Sequence, residues 1–190
     1  MNSHAALMAS VVLLTDFGSS DVYVSQMHAQ IRKLGPDLKI LDLSHDVHPF
    51  CIAEASFMLL TSLGHYARNS VFCAVVDPGV GTGRDILLAK TAGCYLLAPD
   101  NGLLSPILKQ HPTKKLWRIE HTSLELLGSG VFHGRDVFAP TAARLALGHD
   151  PRFLGLPVPA DEIKQGQGLE PVILSDELRV RILHMDHFGN

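Results

Sequence analysis

Val71-Phe72-Cys73-Ala74-Val75-Val76 runs without a charge into Asp77-Pro78-Gly79-Val80-Gly81-Thr82-Gly83-Arg84. An apolar run this short, dominated by valine and phenylalanine, reads as a strand covered on both faces. A polar, glycine-rich turn follows it directly. In α/β sheets such turns lie at the carboxyl ends of strands, where ligand sites form. The stretch therefore predicts a fold class and marks where the chemistry belongs.

The pattern recurs on either side. Residues 10–14 are apolar and lead into Thr15-Asp16-Phe17-Gly18; residues 39–43 lead into Ser44-His45-Asp46-Val47-His48. Residues 86–90 and 95–98 flank Ala92-Gly93, a hairpin signal. Between strands, Tyr23, Met27, Ile31 and Leu34 recur at helical spacing until Gly35-Pro36 stops them. Residues 52–66, 103–110 and 137–147 also read as helices. Alternating strands and helices predict a three-layer α/β domain with a largely parallel sheet. Its turns at Asp16, Asp77 and His133 should gather along one edge.

The chain of 190 residues is long enough for a sizeable core. Residues 1–10 read as an N-terminal tail without the basic start of a signal peptide. Residues 11–150 form the α/β domain, and the Pro-, Gly- and Gln-rich residues 151–177 form a connecting segment. Residues 178–190 begin a new strand and stop at Asp186-His187-Phe188-Gly189-Asn190, so a second domain is expected to start here, truncated. A net charge of -3 excludes the basic stripe of a nucleic-acid binder. No run approaches the ~18 apolar residues of a membrane span. Cys51, Cys73 and Cys94 have no CxxC spacing, which argues against a disulfide framework and for a reducing, cytoplasmic setting.

Each polar constellation has a chemical and a structural reading. Asp16 could accept two hydrogen bonds from a vicinal diol such as a ribose, or cap a turn. Asp77, Arg84 and His133, the last in Val131-Phe132-His133-Gly134-Arg135-Asp136, could converge to activate a water. An arginine favours the ionised carboxylate and a histidine can shuttle a proton. The alternative is an ion pair beside a satisfied histidine. His45, Asp46 and His48 are metal-ligand types, but neighbours on a loop seldom all converge, so a polar loop is favoured. Pro99-Asp100-Asn101-Gly102 is a strong turn signal that could shape a pocket. Arg135 and Asp136 should pair or cap the helix behind them. GxGxxG and P-loop patterns are missing, so phosphate cradling has little support.

Taken in order, Thr15-Asp16-Phe17-Gly18 with Asp21 and Tyr23, Asp42-Leu43-Ser44-His45-Asp46-Val47, Val76 to Thr82 with Arg84, Pro99 to Gly102 and Phe132 to Asp136 resemble the S-adenosyl-L-methionine hydroxide adenosyltransferases. That family is related to the fluorinating and chlorinating enzymes that use the same substrate. The resemblance runs from about Val11 to Asn190. It implies an α/β domain followed by a smaller β-rich domain that carries most adenine contacts and lies beyond Asn190. It implies a homotrimer with substrate at the subunit interface. The implied reaction is attack of water or hydroxide at ribose C5′ of S-adenosyl-L-methionine, giving adenosine and L-methionine with no cofactor and no metal. Asp77, Arg84 and His133 match the catalytic triad, Asp16 the ribose-binding carboxylate, and Asp186 and Asn190 the residues holding the methionine end. The halogenating relatives lack the triad, so hydroxide is expected as nucleophile. The competing readings are a halogenase, a metal-dependent hydrolase built on His45, Asp46, His48 and His133, and a non-catalytic adenosine- or methionine-binding module.

Overall fold

A computed structural model describes residues 9–111, 115–119, 132–166 and 169–190. Strand β1 (Val11–Thr15) lies between the edge strand β2 (Ile40–Ser44) and β3 (Val71–Val75), and all three are parallel. Strand β5 (Cys94–Pro99) continues the parallel half beyond β3. Strand β4 (Ile86–Thr91) joins β5 as the expected hairpin, through the two-residue turn Ala92-Gly93. Both turn residues have positive φ, at 51° and 80°. That is the mirror-image turn whose twist suits a two-residue hairpin loop. Strands β6 (Lys115–Ile119) and β7 (Gly155–Pro157) extend the sheet antiparallel, giving the order β2-β1-β3-β5-β4-β6-β7. The sheet is thus parallel where the site lies and mixed beyond it.

The unbroken apolar runs have a simple cause. In β1, Val11 and Leu13 point into one core while Val12 and Leu14 point into the other. Strand β3 divides the same way, with Val71, Cys73 and Val75 opposite Phe72 and Ala74. Both faces bury side chains, each worth about 1.5–3 kcal/mol. Helix α1 (Tyr23–Leu34) and helix α4 (Ala139–Ala146) cover the first face; α2 (Ile52–Ser62) and α3 (Ser105–Gln110) cover the second. This is the expected three-layer arrangement.

The helix read over residues 137–147 differs in its opening. A wide turn, Gly134–Phe138, precedes α4, with the Ala139 N–H donating to the Gly134 carbonyl five residues back. Such π turns occur preferentially at functional sites. Toward the C-terminus, β8 (Val172–Ile173) and β9 (Leu178–Arg179) form a short ribbon with exposed faces. The strand read over residues 178–185 is therefore much shorter here, because a two-stranded ribbon without a packed face adds little pairing energy.

Candidate active site

From β1 the chain steps outward to β2, then crosses back to β3 on the opposite side. The carboxyl ends of β1 and β3 therefore diverge, and a crevice opens between their loops. A cavity of about 410 Å³ fills it, lined by Asp16, Phe17, Tyr23, Pro49, Phe50, Val75, Asp77, Val80, Phe132, His133 and Gly134. Three of the expected site residues, Asp16, Asp77 and His133, thus share one wall. Val131 lies outside the described residues.

Arg84 returns to Asp77 because the intervening loop doubles back. The Val80 N–H donates to the Asp77 carbonyl (3.3 Å), and Thr82 donates through both its N–H (3.1 Å) and its hydroxyl (2.6 Å) to the Gly79 carbonyl. Gly81 makes the reversal at φ +78°, a conformation other residues seldom adopt. Arg84 Nε then donates to Asp77 Oδ2 at 2.7 Å, and Nη2 contacts the same oxygen. Asp77 Oδ1 accepts the Gly79 N–H at 3.2 Å. Arg84 Nη2 also lies 3.0 Å from His133 Nδ1. A guanidinium only donates, so Nδ1 accepts and the neutral ring carries its proton on Nε2. All three groups are nearly withdrawn from solvent, with Asp77 7% and His133 6% exposed and the Arg84 side chain at 8%. The Arg84 guanidinium also lies over the Phe138 ring at 5.5 Å. The arrangement is a charged chain, carboxylate to guanidinium to imidazole.

The cavity floor is aromatic. Phe17, Tyr23 and Phe132 meet edge to face, with centroids 5.0–6.0 Å apart. Gly134 permits this: a Cβ there would meet the Phe132 ring at 2.8 Å and the Phe17 ring at 3.1 Å. Arg135 pairs with Asp136 through Nε to Oδ1 (2.6 Å) and Nη2 to Oδ2 (2.9 Å), as expected for these neighbours. Those hydrogen bonds, against the smaller upward push of burial, hold the Asp136 carboxyl below its usual range.

Asp16 does not cap its own turn. Its Oδ2 accepts the N–H of Phe50, 34 positions away, at 2.8 Å. Phe50 has φ +63° and is 64% exposed at the cavity mouth. A bulky residue in that conformation is strained by about 1–3 kcal/mol. Phe50 is a lining residue that local sequence patterns do not single out, since only the long-range approach of the loop after β2 brings it here.

His45, Asp46 and His48 do not converge, nor do they join His133. His45 turns inward to Thr15 Oγ1 (2.8 Å), whereas His48 meets Glu54 through Nδ1 (2.9 Å) and its backbone N–H (2.8 Å). The buried Glu54 also reaches His184 Nδ1 at 2.7 Å, tying the C-terminal segment to α2. His45 and His48 thus face different partners, as the polar-loop reading expects, and give no observation in favour of a metal-dependent hydrolase built on His45, Asp46, His48 and His133. Asp186 and Asn190 close a turn on each other, with the Asn190 N–H 2.8 Å from Asp186 Oδ1, and lie outside the lining of the Asp77 cavity.

The Asn101 turn serves the site indirectly. Asn101 Nδ2 donates to the Val76 carbonyl at 2.9 Å, immediately before Asp77, and its Oδ1 accepts the Leu103 N–H at 3.2 Å. Asn101→Ala should lower stability by about 1–3 kcal/mol, because the Val76 carbonyl loses its buried donor. Urea denaturation measures this; an unchanged midpoint would show the bond to be dispensable.

Known proteins similar to this chain point to one family. Residues 11–155 match the family described as the SAM hydroxide adenosyltransferase N-terminal domain. The chain is 34% identical to a Methanocaldococcus jannaschii protein named (R)-S-adenosyl-L-methionine hydrolase, over 95% of this chain and 64% of that one. A Thermus thermophilus protein of the same name is 35% identical, over 96% of this chain and 73% of its own length. A Nocardia brasiliensis fluorinase is more distant, at 24% identity over 95% of this chain and 69% of its own. The crystal structure of an uncharacterized conserved protein from Thermotoga maritima superposes with a TM-score of 0.85 at 32% identity, covering 94% of this chain and 68% of that one. The chain thus spans roughly two thirds of the length of such relatives. With most of its length matched to the family's N-terminal domain, this chain belongs to the SAM hydroxide adenosyltransferase family.

Proposed function

We propose that this protein hydrolyses S-adenosyl-L-methionine at ribose C5′, releasing adenosine and L-methionine. The carrying observation is the Asp77–Arg84–His133 chain in the wall of an aromatic cavity. The names of the hydrolase relatives support the substrate, and they specify its (R) sulfonium form. The sulfonium is a cation, and the Phe17, Tyr23 and Phe132 rings offer it electron-rich faces. Asp16 would accept the ribose diol.

In this reading a water donates a hydrogen bond to Asp77 and accepts one from the His133 Nε2–H. It attacks C5′ from the side opposite sulfur. The O–C5′ bond forms as the C5′–S bond breaks, and the bonding pair leaves on sulfur as the neutral thioether of methionine. One water proton passes to the Asp77 carboxylate and then to solvent. In this reading His133 donates to the water rather than taking its proton, because Arg84 Nη2 occupies its Nδ1. Positioning and exclusion of bulk water supply much of the rate. A carboxylate beside the nucleophile repels halide and tolerates neutral water, which favours hydrolysis over halogenation.

The same proposal includes a homotrimer in which Asp186 and Asn190 of a neighbouring subunit hold the methionine end. Support comes from the apolar cavity rim, where Phe50 and Val80 are 64% and 50% exposed. A cytoplasmic setting is supported by three free cysteines, two of them buried. Among the described residues no helix is long and apolar enough to cross a membrane.

Incubation with (R)- and (S)-S-adenosyl-L-methionine, followed by chromatography, tests the reading. Adenosine should form from the (R) form, and exhaustive chelation should leave the rate unchanged, because a sulfonium needs no Lewis acid. A rate lost in EDTA and restored by zinc or manganese, in His28→Ala as well as in the unmodified protein, would overturn the metal-free step. A chloride-dependent 5′-halo product would show a halogenase, and binding without turnover a non-catalytic module.

A further inference from the structure

The middle of α1, the middle of β2 and the residue after β2 bring together three metal-ligand side chains, His28, Asp42 and His45, that the proposed reaction does not use. His28 Nε2 lies 2.9 Å from Asp42 Oδ1, and His45 Nε2 lies 3.1 Å from the same oxygen. One donor atom from each residue falls within 4.8 Å of the others. Donors bound to one tetrahedral zinc at ~2.0–2.1 Å stand ~3.3 Å apart, so a small opening of this cluster admits an ion.

The orientation of His45 carries the argument. Its side chain is 10% exposed, yet its buried Nε2 makes no hydrogen bond among the described residues despite the nearby carboxylate. Its other nitrogen, Nδ1, lies 2.8 Å from Thr15 Oγ1. A metal-bound histidine characteristically donates its second ring N–H to such a partner, which leaves the facing nitrogen's lone pair for the ion.

We propose that His28, Asp42 and His45 form a divalent transition-metal site, best suited to zinc, with water completing the shell on the exposed side of Asp42. Two imidazoles and one carboxylate form a borderline donor set that favours zinc over magnesium. The ion would tie α1 to the end of β2. It would also stiffen the loop that carries Asp16, because Thr15 contacts His45 and the Gly18 N–H donates to the His45 carbonyl at 2.8 Å. The site is separate from the triad and does not rest on the hydrolase reading.

Calorimetric titration of EDTA-treated protein with zinc chloride tests it. One ion per chain should bind. At a hundredfold excess over Kd the thermal midpoint should rise by about 5–10 °C, and magnesium chloride should give no rise. His28→Ala and Asp42→Asn, both at solvent-accessible positions, should each weaken zinc binding at least tenfold, while His48→Ala should leave it intact. No zinc binding, or binding that survives His28→Ala/Asp42→Asn, would overturn the assignment. Adenosine formation should persist in His28→Ala, so failure of the metal site and failure of the hydrolase reading are read separately.

Discussion

Asp77→Asn, Arg84→Ala and His133→Ala are each expected to slow adenosine formation by about 10²–10⁴-fold, the usual contribution of positioned proton transfer. Asparagine is the informative replacement at Asp77. It keeps the shape beside Arg84 but removes the base. Alanine would leave the buried guanidinium without an acceptor as well as without its counter-charge, adding about 1–3 kcal/mol to the cost in folding. Arg84 contacts both partners, so its loss releases Asp77 and His133 together. Groups that act as a unit are non-additive when removed. Asp77→Asn/His133→Ala should therefore be little slower than the slower single variant, and substrate affinity should change only modestly. Steady-state kinetics with calorimetric affinities check this. Multiplicative losses, or near-normal turnover in His133→Ala, would mean that the residues shape the cavity and leave the water alone.

The parts of this fold legible in the sequence are those where one local pattern has one physical cause. Strands β1 and β3 read as unbroken apolar runs because both of their faces are buried. Helix α1 reads from Met27 and Ile31, which face the core at helical spacing. Strand β6 escaped because Lys115 and Arg118 interrupt its alternation around Trp117. The π turn before α4 escaped because Gly134-Arg135-Asp136 carries the same local signal as an ordinary helix start. Within the site, the glycine turns announced the positions of Asp77 and His133, but not their roles. The proton location on His133 depends on a guanidinium 49 positions away. The His45 loop shows the limit most clearly. Sequence proximity groups it with Asp46 and His48, whereas the fold gives it Thr15, Asp42 and His28. Ligand sets assembled across elements are set by topology, and no local window contains it.

Asp16→Ala is expected to weaken S-adenosyl-L-methionine binding by about 10²–10⁴-fold, since two charge-assisted hydrogen bonds worth about 1.5–3 kcal/mol each are lost. The carboxylate has the capacity. Oδ2 already accepts the Phe50 N–H, and among the described residues nothing donates to Oδ1. Each carboxylate oxygen can take two donors, so a ribose diol fits beside the existing bond. That existing bond gives Asp16 a second consequence. It holds the amide of a residue in a strained, left-handed conformation at the cavity mouth, and removing it lets the Phe50 loop relax. Loss of affinity in Asp16→Ala could then arise from the diol or from the loop. Phe50→Gly separates the two, because glycine adopts φ +63° without strain while the carboxylate stays in place. If Asp16 binds the diol, Phe50→Gly should lose far less affinity than Asp16→Ala in calorimetry. A 2′-deoxyribose analogue should bind Asp16→Ala and the unmodified protein with much closer affinities than the parent substrate does. Equal losses in the two variants, or an Asp16→Ala protein with undiminished affinity, would reduce Asp16 to a support for the Phe50 loop.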